Sequence, residues 1–206
     1  MNSPLGPESL PKGLIDDVKA VLINRDGAAM LRVAKNASYF NYAIAMYVLV
    51  QLAFVLRTWM GLNKSISAIQ GMTVHVGVDP LDLVLNGVIG VLIGLAAMAL
   101  VYIFSQKLFE AKPGVTLKEF MTIACIVSFP MVLSVLPLGG LGMLAGGIWA
   151  IVLFFTMMQK ILGLTFGKAL VVAILAGFAV GVVQMVLYNI LGLGAGNYSF
   201  DFSYGS

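Results

Sequence analysis

Apolar residues along this chain gather into five uninterrupted runs, at 39–56, 83–104, 120–136, 141–158 and 169–191, and none of the five contains Asp, Glu, Lys, Arg or His. An α-helix rises about 1.5 Å per residue, so runs of roughly 17–25 residues match the hydrocarbon thickness of a bilayer. The pattern predicts five transmembrane helices. Only Pro137, Leu138, Gly139 and Gly140 separate the third run from the fourth, which makes these two a tight antiparallel hairpin. Ahead of the first run the period changes. Leu14, Ile15, Val18, Val21 and Leu22 recur on one face of a helical wheel, with Asp16, Asp17 and Lys19 elsewhere around it, so 11–23 reads as an amphipathic helix. Such a helix suits either the membrane surface or packing against the bundle's own loops. NRDG at 24–27 supplies a turn, and AAMLRVAKN after it forms a second short helix leading into the membrane.

Composition agrees with this reading. Apolar residues make up 60% of the 206 and charged residues 10%, with a mean hydropathy of +1.00, whereas a soluble domain carries about 25% charged residues. The expected class is an all-α membrane protein, a bundle of five transmembrane helices with an N-terminal cytoplasmic amphipathic helix. It divides into a cytoplasmic segment 1–37, a membrane domain 38–193 and an extracytoplasmic tail 194–206. The net charge of +3 is small and gives no support to nucleic-acid binding.

The distribution of charge carries more than its sum. Lys12, Lys19, Arg25, Arg32 and Lys35 precede the first run, Lys107, Lys112 and Lys118 lie between the second and third, and Lys160 and Lys168 lie between the fourth and fifth. The opposite loops hold only Arg57 and Lys64. Positive charge is retained on the cytoplasmic side, so the N-terminus is expected in the cytoplasm and the C-terminus outside. No secretory signal pattern opens the chain, and the first span is expected to act as the address.

Candidate chemistry is sparse. Cys125 is the sole cysteine and falls within the third run, without a CxxC setting. His75 shares the outer loop with Asp79 and Asp82, a set too small to specify a metal. The aromatic tail NYSFDFSYGS suits an interface belt or a short strand on a partner, and ISAIQGMTVHVGV suits the outer interface. The runs carry neutral polar residues, among them Asn86, Ser128, Thr156, Gln159, Gln184 and Asn189, which fit interhelical hydrogen bonding. No catalytic, cofactor or metal site is expected. Small residues stand out instead: Gly90 with Gly94, Gly142 with Gly146, and Gly177 with Gly181 are three GxxxG pairs, a spacing that lets helix backbones approach closely in lipid. Pro130 lies mid-run, where it removes a helix hydrogen bond and predicts a kink, with Ser128 and Ser134 at hand to satisfy the freed carbonyl.

The amphipathic stretch GLIDDVKAVLINRDG, the segment LKEFMTIACIVSFPMVLSVL and the segment GGIWAIVLFFTMMQKILGLTFGKALVVAILAGFAVGVV together resemble the Yip family of Ypt/Rab-interacting membrane proteins. Pro130, the Ile148–Trp149 pair and Gly167–Ala169 stand where that family's pattern places its counterparts. The chain departs from the pattern at Arg25, where many members carry proline, and its short N-terminal region is more similar to prokaryotic members. The resemblance implies five spans and a cytoplasmic N-terminus, and the function expected is a non-enzymatic scaffold or adaptor, in the manner of an accessory subunit. Its partners would be membrane lipids and other integral membrane proteins, or a second copy of itself. A permease-like or lipid-handling protein is the other reading, with the kinked third span lining a path.

Overall fold

A computed structural model of the chain describes residues 13–62, 66–68, 72–77, 80–110, 114–136, 140–191 and 199–204. The turn expected at 137–139 and residues Lys12, Lys64, Asp79 and Lys112 lie outside that set. Five segments are long and apolar enough to cross a membrane: Tyr39–Arg57, Leu83–Phe109, Leu117–Val135, Gly140–Leu162 and Phe166–Ile190. They make this an integral membrane protein. The helices containing them are α3 (Tyr39–Leu62), α4 (Pro80–Phe109), α5 (Leu117–Val127, continued by a 3-10 segment Phe129–Val135), α6 (Gly140–Leu162) and α7 (Phe166–Leu191). Two short helices come first, α1 (Leu14–Leu22) and α2 (Gly27–Lys35).

Local sequence explains where these helices begin and end. Thr116 and Glu119 form a capping box at the start of α5: the Thr116 hydroxyl accepts the Glu119 N–H, and the Glu119 carboxylate accepts the Thr116 N–H at 2.6 Å. The Asp26 carboxylate caps α2 by accepting the Ala28 N–H at 2.8 Å. Gly163, with φ of +66°, closes α6, and the Leu164 N–H reaches back to the Met158 carbonyl.

At the centre lies α5, which buries Phe120, Ile123, Ile126 and Val127. Half of its span is buried, against 11% for the spans of α4 and α7, whose outer faces are left for lipid. Met30 and Val33 of α2 and Leu153, Met157 and Met158 of α6 complete the same core, so α2 is a structural part of the bundle.

The spans are helical as expected, and the described residues also include three strands, β1 (Ile66–Ala68), β2 (Met72–Gly77) and β3 (Ser199–Tyr204), in one antiparallel sheet of order β1–β2–β3. The tail forms a strand, and its pairing is with the chain's own outer loop, Val76 opposite Phe200 and Val74 opposite Phe202. The reason is the period-2 alternation of β-branched and aromatic residues in both segments, MTVHVG and SFDFSY, which favours a pleated ladder over a helix. The same pairing places His75 opposite Asp201.

Candidate functional site

The break in the third span shapes the interior. Val127 ends α5, and Pro130 enters at the first turn of the 3-10 segment, where a missing N–H leaves no helix bond unmade. Pro130 therefore stands where the helix type of the span changes. A 3-10 helix rises about 2.0 Å per residue, so this otherwise short span reaches about 30 Å, the thickness of the hydrocarbon core. The two serines do not act as expected. The Ser128 hydroxyl donates to the Cys125 carbonyl at 2.6 Å, while Ser134 is fully buried and its hydroxyl finds no partner among the described residues.

The 3-10 segment packs against α6, and the glycines explain how. A Cβ on Gly146 would sit 2.6 Å from the Pro130 carbonyl oxygen and 3.3 Å from the Leu133 Cβ, and one on Gly142 would strike the Leu133 carbonyl oxygen. With hydrogen alone at these positions, backbone lies against backbone. Gly94 serves α4 against α3 similarly, since a Cβ there would collide with the Tyr47 hydroxyl, and a Cβ on Gly90 would lie 3.8 Å from the Gln51 side-chain oxygen. Gly87, which the GxxxG spacing does not single out, is tighter than Gly90, since a Cβ there would lie 2.8 Å from a Val55 methyl.

The third pair differs. Around Gly177 and Gly181 nothing comes within 4 Å of an added Cβ. Phe178, 72% exposed, lies between them, and Ile174 and Met185 are exposed on the same helix. Of the three GxxxG pairs, this is the one whose face the chain's own described residues leave open.

Two of the neutral polar residues in the spans bond back to their own helices. The Thr156 hydroxyl donates to the Val152 carbonyl and the Asn189 amide to the Met185 carbonyl, each at 2.8 Å. Interhelical bonding was expected of them, but a carbonyl one turn back is always within reach and competes successfully. A cavity of about 480 Å³ opens beside the break, lined by Met98, Ala124, Ser128, Gly147, Ala150 and Ala173 among others. Its lining is almost wholly apolar. Small residues on three different helices, α5, α6 and α7, create it, which spacing along any one run does not reveal. Cys125 is buried in the core nearby, 3.9 Å from the Met98 sulfur. Among the described residues no group of His, Cys, Asp and Glu is placed to hold a metal.

One end of the bundle gathers α1, α2 and the basic residues. Trp149 of α6 donates its indole N–H to the Leu22 carbonyl at 2.9 Å, taking up an acceptor that the end of α1 leaves unpaired within the helix. The Arg25 guanidinium lies 5.9 Å from the same ring. Arg25 itself has φ of +53°, a backbone that proline, fixed near −65°, cannot adopt. Ile148, the neighbour of Trp149, is exposed, and so are Gly167 and Lys168, whose ammonium lies 5.6 Å over the Phe109 ring. Lys118 lies 4.8 Å over Phe40, and the Tyr102 hydroxyl ties α4 to the Val115 carbonyl at 2.9 Å. In comparisons with known proteins the chain matches no family model, no curated protein and no solved structure.

Proposed function

We propose that this protein is a non-enzymatic integral membrane scaffold or adaptor of the Yip type, which binds or stabilises other membrane proteins as an accessory subunit of a larger membrane complex. The observation that carries the reading is the open glycine face of α7. Two of the three GxxxG pairs are occupied by the chain's own helices, while no described residue comes within 4 Å of a Cβ added at Gly177 or Gly181. A face that allows close backbone contact and has no internal partner suits a helix from another protein or a second copy of the chain. The resemblance of residues 116–183 to the Yip pattern supports the same class.

In this proposal the basic end of the bundle, with Arg25, Arg32, Lys107, Lys118, Lys160 and Lys168, faces the cytoplasm of a prokaryotic cell, and the β-sheet faces outside. The α1 helix packs beside the bundle, its end tied to Trp149 within the α6 span. One observation favours a second reading, a lipid-handling protein: the apolar cavity beside the broken third span. Copurification from native membranes in mild detergent separates the two. Stoichiometric protein partners support the adaptor, and a bound apolar molecule without protein partners supports lipid handling.

A further inference from the structure

The sheet leaves one long edge open. In the order β1–β2–β3 the middle strand is paired on both sides, and β1, three residues long, makes a short edge. The other edge is β3, six residues long, with no strand among the described residues on its outer side. A free edge presents a row of unpaired N–H and C=O groups, and proteins that guard such an edge shorten it or place Lys or Pro on it. β3 carries neither.

The sequence of this edge points to what covers it. Residues 198–204 read YSFDFSY, the same in both directions about Asp201. When two copies of such a strand pair antiparallel about that residue, each position meets its own residue type: Ser199 stands opposite the second copy's Ser203, and Phe200 opposite its Phe202. Aromatic pairs and hydroxyl pairs stabilise an antiparallel ladder. Two-fold pairing also closes on itself, so it gives a dimer and not a filament. The like charges of the two Asp201 residues work against it, and the register of β2 sets His75 opposite each of them, where a proton on the imidazole offsets the repulsion. The two-fold axis of an antiparallel pair is normal to the sheet, so two bundles inserted in the same direction meet in this way with the sheet along the membrane surface.

We infer that β3 pairs with β3 of a second copy of this chain, antiparallel about Asp201, and joins two sheets of three strands into one of six. The contact lies outside the glycine face of α7 and does not depend on what covers Gly177 and Gly181.

Disulfide crosslinking of the full-length protein in native membranes, read as dimer on a non-reducing gel, tests the pairing. Cys125 is the sole native cysteine and is buried in the core, so the introduced thiols alone are oxidised. Opposed residues of a ladder have Cα atoms about 4.5–5.5 Å apart, within the roughly 4.4–6.8 Å that a disulfide spans. Asp201→Cys should therefore give a covalent dimer. Ser199→Cys and Ser203→Cys should not, because each residue lies about 14 Å from its own counterpart. The double variant Ser199→Cys/Ser203→Cys, which keeps Asp201, should link with a yield roughly tenfold above either single variant, since its thiols stand opposite each other. A double variant that gives no more dimer than the single ones would overturn the pairing, whether all are low, as for an edge covered by something else, or all high, as for tails that collide without register. Exchange of Ser for Cys alters one atom, so the double variant decides the question even if Asp201→Cys disturbs the strand.

Discussion

At the scale of single residues, what matters about each glycine is what stands opposite it. Gly146 and Gly181 have the same spacing, chemistry and helical setting, yet one faces the Pro130 carbonyl and the other faces open space. Gly146→Ala should therefore cost about 1–3 kcal/mol, because backbone rather than a flexible side chain must give way, while Gly181→Ala should stay within about 0.5 kcal/mol of the wild type. Thermal unfolding in a single detergent compares them directly, and equal shifts would contradict the assignment. Gly163 tests conformation rather than space. A Cβ added there would meet no described residue within 4 Å, but its φ of +66° means that Gly163→Ala should cost about 1 kcal/mol through the backbone alone. The GxxxG spacing was legible in the sequence. The partner was not, since it depends on where Leu133 and Tyr47 come to lie.

At the scale of elements, the five spans were legible because an apolar run without charge has few alternatives in a chain with so little polar surface. Their ends were less so: α4 runs on to Phe109 and α6 to Leu162, past the apolar runs at 83–104 and 141–158, because Lys107 and Lys160 place their charges at the margin without breaking the helix. The sheet escaped notice for a different reason. β2 and β3 are far apart in the chain, and each alternating segment taken alone is too short to declare a partner. The role of Trp149 likewise became visible only with α1 beside it. Trp149→Phe keeps the bulk but loses the bond to the Leu22 carbonyl, so amide exchange in 14–22 should accelerate several-fold while the cores of α5 and α6 are unchanged. Unaltered exchange in 14–22 would mean that this bond does not hold α1 in place.

For the whole molecule, stability and association draw on different faces. The core of α2, α5 and α6 is closely packed, whereas the spans of α4 and α7 have only 11% of their residues buried, as helices can where lipid is as apolar as leucine. The proposed orientation predicts that a cytoplasm-active reporter placed within 106–118 is active and one fused after Ser206 is silent. The opposite result would invert the assignment of the basic end. The central claim is that α7 presents an interaction surface, and the most direct measurement is copurification of the Gly177→Leu/Gly181→Leu double variant from native membranes, with its thermal stability followed in parallel. The open space around both glycines predicts a folded protein of near-wild-type stability that has lost its stoichiometric partner. A variant that keeps its partner at unchanged stability would contradict the claim and leave α7 facing lipid alone.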